Sequence, residues 1–235
     1  TGLIRTASDR TLEQIKAGDW EVRDAHGEVL TPVPTPETKT PSLASIYALS
    51  KFDQEQMCMM IGRAYQIATV ALRFFNIFGP FQALSNPYTG VLAIFASRLL
   101  NDRAPLINED GLQKRDFVSV YDVARACRLA LEVPEAADHV FNIASGRQCT
   151  IGELGIRIAR VLGKPIEPEI TGKYRVGDIR HCFADIEKAR TILGFEPLVG
   201  LEEGLEDLAA WISSQIAHDR VSESRDELAE RGLMV

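Results

Sequence analysis

The sequence predicts an α/β protein with parallel strands. Apolar runs of strand length alternate along the chain with helical segments of ten residues or more, the order in which crossover helices cover a parallel sheet. The composition, 46% hydrophobic and 25% charged over 235 residues, provides core for one large domain or a domain and a half. No internal repeat interrupts the alternation.

The elements follow in order. "TLEQIKAGDW" reads as a short helix, and "EVRDAHGEVLTPVPTPETKTP" as a polar connector whose prolines at 32, 34 and 36 exclude helix and central strand. A long helix, roughly Leu43 to Ala64, leads into the apolar strand "IATVALRFF". A loop, "NIFGPFQALSNPYTG", precedes the helix "VLAIFASRLLN", and the strand "RDFVSV" runs into the helix "YDVARACRLALE". The strand "HVFNIAS", the helix "TIGELGIRIARVLG" with Thr150 as N-cap, a basic loop near Arg175, and helices after Asp185 and Leu201 complete the chain.

Charge and hydropathy exclude several classes of function. A formal charge of -7 and the lack of any Lys/Arg block give no electrostatic footprint for nucleic acid or an anionic membrane. No apolar run approaches the roughly 20 residues of a membrane span, and residues 1–30 hold no basic-then-apolar leader pattern, so a cytoplasmic protein is expected. Cys58, Cys127, Cys149 and Cys182 match no zinc spacing and read as buried reduced thiols; no metal is expected.

Chemistry enters with "SIYALSK". On a helix, Tyr47 and Lys51 share a face, four residues apart. A phenol is a poor base at neutral pH, but an ammonium within about 4 to 6 Å favours the phenolate. Such a tyrosine could take a proton from a sugar hydroxyl while hydride leaves the same carbon. With 5 Tyr in the chain and 7 Lys, the spacing arises by chance with an expectation of about 0.15, so by itself it is more often the mark of a solvated amphipathic helix.

The motifs around the pair occur in a fixed order: "SIYALSK", "ALRFFNIFGP", "QKRDFVSVYDVARA", "FNIASG", "RVGDIR" and "KARTILGF". Together, from about Pro41 to Trp211, they resemble the extended short-chain dehydrogenase/reductase family in its nucleotide-sugar epimerase and dehydratase branch. The resemblance implies a Rossmann-like doubly wound parallel sheet, here lacking its first strands, with a smaller C-terminal α/β substrate-binding domain. It implies residues 1–80 as the remainder of an NAD-binding domain with an insertion at about 18–40, residues 81–217 as mainly the substrate domain, and 218–235 as a helical tail. Tyr47 and Lys51 would be the catalytic pair, Lys51 also holding the nicotinamide ribose of NAD, with Phe74 beside the nicotinamide. Asn76, Arg115 and Arg175 would bind the diphosphate of a nucleoside-diphosphate sugar, a task suited to the guanidinium fork. Asp178 would accept from its ribose hydroxyls, and "PLIN", Pro105 to Asn108, would edge the nucleobase.

Reaction type is expected to be C4 epimerisation through a 4-keto sugar. The alternatives are 4,6-dehydration, decarboxylation, or a protein that binds sugar nucleotides without turnover. Where relatives carry the deciding Ser/Thr or acidic pair, this sequence has "WEVRDAHGE": either Asp24 and Glu28 are the acids, or the connector is an insertion, which its turn-rich texture favours. That connector and the closing "HDRVSESRDELAERGLMV" resemble dTDP-L-rhamnose 4-epimerase-like members, without their Cys pairs. The catalytic helix is apolar nearly all round, with Met57 and Met60 facing away from Lys51, so it is expected to be covered on both sides, by the chain's own helices or, as the resemblance implies, by its copy in a homodimer. No Gly-x-Gly-x-x-Gly follows a strand and opens a helix, and Thr1-Gly2 precede a helix with no leading strand. The sequence therefore reads as the carboxy-terminal two thirds of an enzyme, expected alone to bind NAD negligibly and to aggregate.

Overall fold

The computed structural model describes residues 10–43, 45–82, 90–175, 177–213 and 229–232. The N-terminal helix α1 (Leu12–Lys16) starts where the Thr11 hydroxyl accepts from Gln14 N–H. The connector after it contains a turn rather than a helix. The Asp24 carboxylate accepts from His26 and Glu28 N–H, and Arg23 bridges to Val29. Its proline-rich end docks by one rung, Thr35 pairing parallel with Ala184.

The long helix α2 (Ile46–Tyr65) ends at Gln66 in the left-handed region. It is followed by β1 (Ala71–Phe74), β2 (Asn76–Phe78) and α3 (Val91–Leu100). The middle of the chain holds β3 (Leu106–Ile107), β4 (Lys114–Arg115), β5 (Phe117–Ser119), α4 (Val120–Glu132) and β6 (Val140–Ile143). After these come β7 (Cys149–Thr150), α5 (Ile151–Val161), β8 (Glu169–Ile170), β9 (His181–Cys182), α6 (Glu187–Leu193) and α7 (Leu201–Ile212). The sequence-expected strand "RDFVSV" is two short strands parted by Asp116, and β2 lies inside the segment expected to be a loop. The predicted helical tail 218–235 lies outside the described residues, apart from a helical turn at 229–230.

The pairings β1–β6, β2–β5 and β3–β8 are parallel, as the alternation predicts. The β4 strand pairs parallel with β9 and antiparallel with β7. Two cores form. Faces of α3, α5 and α7 meet around Phe78, Phe95, Leu99, Leu154, Ile158, Leu205 and Leu208, while β5, β6, α4 and α6 close over Val118, Phe141, Ile143 and Phe195. The α5 helix starts as predicted: Thr150 and Glu153 form a reciprocal capping box. The two cores meet where β2 turns toward α4. Gly79 holds that turn at a φ of 153°, and a Cβ there would stand 2.4 Å from a Val120 methyl.

Candidate active site

The α2 helix sets its own start. The Ser45 hydroxyl accepts from Ala48 N–H at 3.1 Å, which places Tyr47 and Lys51 one turn apart on one face. The Lys51 ammonium lies 5.8 Å from the centroid of the Tyr47 ring. Both point outward: Tyr47 is 71% exposed and Lys51 donates to the exposed Gln54 side chain at 3.3 Å.

Two contacts orient this helix on the sheet. A Cβ on Gly62 would stand 2.1 Å from the Thr69 hydroxyl, and farther along β1 Arg73 makes a two-pronged ion pair with Glu55, both bonds 2.7 Å. Advancing from Thr69 to Arg73 thus retreats from Gly62 to Glu55, so α2 and β1 are antiparallel. Lys51 and Tyr47, one and two turns before Glu55, lie toward the end of β1 that carries Phe74, itself 44% exposed. Tyr47, Lys51 and Phe74 thus lie toward the same end of the α2–β1 pair.

Asn76 opens β2 two residues later. Its N–H donates to the Asp116 carbonyl at 3.0 Å, so it stands next to Arg115 across the pairing. Arg115 donates from one terminal nitrogen to the Lys114 and Arg180 carbonyls and from the other to the Ile179 carbonyl. These carbonyls fix the plane of its guanidinium. Asp178 precedes them, 3.9 Å from the Arg175 side chain. Burial pushes the Asp178 carboxyl up against the pull of Arg175 and Arg115. The three residues 115, 175 and 178 therefore form one group, joined to Phe74 through Asn76.

Beneath that group lies a buried ion network that spacing could not announce. Arg180, fully buried, binds Glu109 at 2.8 Å, Asp110 at 2.6 and 2.8 Å and Glu21 at 2.8 Å. His181 next to it accepts from Lys114 N–H on Nδ1 at 3.3 Å, and burial together with Arg180 pushes it down to about 4. Asp116 is a second unannounced hub. Its carboxylate accepts from Ser145 N–H and hydroxyl, at 2.7 and 2.6 Å, and from Gly146 N–H at 3.0 Å. This is the physical content of "KRDF" and "FNIASG" as neighbouring motifs. Burial still pushes its carboxyl up.

Three sequence expectations can be set against these contacts. Asp24 does not present an acid: it is buried and occupied in its own turn, so the turn-rich insertion reading is the one consistent with its bonds. In "PLIN", Pro105 and Ile107 are buried, Ile107 joining the α3–α5 core, while Leu106 and Asn108 are half-buried. Cys149 is buried, and burial pushes its thiol up to about 11, but Cys58 and Cys127 are exposed, because the helix faces that carry them are uncovered. Among the described residues no group of three or more His, Cys, Asp or Glu is placed to hold a metal, and no helix is long and apolar enough to cross a membrane.

The chain is similar to known proteins. Residues 26–144 match the model of the NAD dependent epimerase/dehydratase family. A dTDP-L-rhamnose 4-epimerase from Burkholderia thailandensis is 35% identical over 220 residues, covering 92% of this chain and 58% of that relative. A solved UDP-glucose 4-epimerase with UDP-glucose from Thermotoga maritima superposes with a TM-score of 0.71 at 37% identity, covering 80% of this chain and 60% of its own. A UDP-glucose 4-epimerase complex with NAD from Thermus thermophilus gives 0.69 at 30% identity, with 80% and 60% covered. The chain thus spans less than two thirds of the length of each of these relatives.

Proposed function

The chain belongs to the NAD dependent epimerase/dehydratase family, and from that premise we propose that the whole protein is an NAD-dependent C4 epimerase of a nucleoside-diphosphate sugar. The observation that carries the reading is the line of side chains from Tyr47 and Lys51, past Phe74 and Asn76, to Arg115, Arg175 and Asp178. A phenol beside an ammonium stands at one end of it and a pair of guanidinium forks at the other, an arrangement suited to a sugar whose reacting carbon and diphosphate are separated by the ring.

The residues at the α2–β1 end suit the nicotinamide half of the cofactor: the Lys51 ammonium can donate to ribose hydroxyls and Phe74 offers an exposed aromatic face. A glycine-rich strand-turn-helix for the pyrophosphate is not found among the described residues. When bound, NAD supplies a reversible acceptor for the hydride of C4. Tyr47, with the Lys51 ammonium beside its ring, removes the C4 hydroxyl proton and later returns it after the keto sugar has turned over in the site. Arg115, oriented by three carbonyls, and Arg175 neutralise the diphosphate, Asn76 donates to it, and Asp178 accepts from the nucleoside ribose. Asp24, already bonded in its turn, lends no support to acid-assisted dehydration.

We assign residues 1–80 to the cofactor side, with the 18–40 insertion, and 81–217 mainly to the sugar-nucleotide side. A cytoplasmic homodimer through α2 completes the proposal; its support is the exposed apolar face of that helix, with Met57, Met60 and Ile61 each about half exposed. In the whole protein, Tyr47→Phe is expected to lower turnover of UDP- or dTDP-sugars by roughly 100- to 10,000-fold while leaving their affinity unchanged. Stoichiometric consumption of NAD with product would replace epimerisation with net oxidation.

A further inference from the structure

The segment that carries Arg175 and Asp178 has little regular structure of its own, yet it is gripped from both ends by one residue of the N-terminal segment. Arg10, whose side chain is 7% exposed, donates from one nitrogen to Glu109 at 2.9 Å and to the Trp20 carbonyl at 3.3 Å, and from the other to the Asp178 carbonyl at 3.0 Å. Its guanidinium also lies 5.1 Å from the centroid of the Tyr174 ring. Arg10 therefore touches the residue before Arg175 and the backbone of Asp178 at once.

The partner is built for this duty. Glu109 is 2% exposed and adopts a φ of 54°, a conformation that a side-chain-bearing residue occupies only when its surroundings hold it there. Its N–H donates to the Lys173 carbonyl and its own carbonyl accepts from Gly172 N–H. Its second carboxylate oxygen takes Arg180, whose carbonyl, with that of Ile179, orients Arg115. Arg10, Glu109 and Arg180 thus brace residues 172–175 and 178–180 from below, and the groups read above as diphosphate and ribose ligands project from those braced residues. Arg10 and residues 172–180 all lie outside the 26–144 family match.

We propose that Arg10 is a positioning residue for the nucleoside-diphosphate site: by holding Tyr174 and the Asp178 backbone it pre-orders Arg175 and Asp178, so that the ligand does not bear the entropy of ordering them. The inference rests on the reading of Arg115, Arg175 and Asp178 given above. Removing such pre-organisation weakens binding without removing a ligand contact.

Isothermal titration of UDP and of dTDP into the whole protein tests it. Arg10→Gln is expected to raise Kd about tenfold, and Arg10→Lys, which keeps the charge but loses the fork, to fall between it and wild type. The matched control is Arg125→Gln. Arg125 likewise pairs with a nearly buried carboxylate, Asp122, and lies 5.5 Å from the Phe195 ring centroid, but on the α4 side of the molecule. It is expected to lower the melting temperature comparably and to leave Kd within about twofold, at the level of a surface substitution on binding. If Arg10→Gln binds like wild type, or if both variants weaken binding alike, Arg10 has no positioning role. If wild type binds neither nucleotide, the site assignment itself falls and takes the inference with it.

Discussion

Around Arg115 the cations are held by buried acceptors: Arg180 by Glu21, Glu109 and Asp110, Arg10 by Glu109 and the Asp178 carbonyl, Arg115 by three carbonyls. On α2, only Met59 and Gly62 are buried among 20 residues, and the Lys51 ammonium bonds a single exposed glutamine. The same chain thus places one half of the proposed site by tertiary contacts and the other half by helix spacing alone. A guanidinium that must meet a diphosphate in a fixed plane needs its donors aimed in advance. A tyrosine and a lysine one turn apart on a helix need only the helix, which Ser45 starts and the Glu55–Arg73 pair docks on β1.

The sharpest way to break this comparison is to remove one cation from each region. Arg180→Met leaves three carboxylates facing each other without their shared cation, of which Glu109 is buried and keeps only Arg10, and is expected to cost roughly 3 kcal/mol of folding stability, read from the denaturant midpoint. Lys51→Met should cost less than about 0.5 kcal/mol by the same measurement, since it removes only an exposed bond. Equal costs would mean that the two regions are not built differently.

The second test uses protons instead of mutations. His181 lies among Arg180, Lys114 and Arg115, with the Glu21 carboxylate 3.8 Å away, and Lys114 N–H occupies its Nδ1. Its folded value of about 4 lies below the ordinary 6.5, so on acidification the unfolded chain takes up the proton first. Stability is therefore full above about pH 6.5 and falls as the pH drops toward 4. At about 1.4 kcal/mol per pH unit, His181 accounts for a loss of about 3 kcal/mol across that window. Urea midpoints taken every half unit from pH 7 to 4.5 should fall less steeply in His181→Asn. An unchanged slope would place the acid sensitivity elsewhere.

What could be read from the sequence follows the same division. The α5 helix, with Thr150 and Glu153 three apart, and the Tyr47–Lys51 face are written in local spacing, and both stand as expected. Parallel pairing followed from the alternation of elements. The two-residue strands β3, β4, β7, β8 and β9 are too short to show any alternation, so they escaped notice. The Arg10–Glu109 and Arg180–Glu109 bonds join residues 99 and 71 apart, and nothing near either arginine marks it as buried. The exposed Cys58 and Cys127 fail for the converse reason: type predicts burial only on average, and here the helix faces are open.

That openness leads to the smallest expected effect. Met57 and Met60, 51% and 58% exposed, face away from the β1 contact and lose little on replacement by serine if the chain is alone. The double substitution should then shift stability by less than about 1 kcal/mol at micromolar concentration. A helix that packs on its own copy behaves differently, because association adds stability that grows with concentration. If α2 is the seam of the proposed homodimer, the wild-type melting temperature rises with protein concentration and the Met57→Ser/Met60→Ser variant loses that rise. Its melting temperature should then match that of wild type at high dilution. A large loss that does not depend on concentration would instead mean that the two methionines are covered within one chain, and the contrast between the braced arginine region and the open helix would not survive.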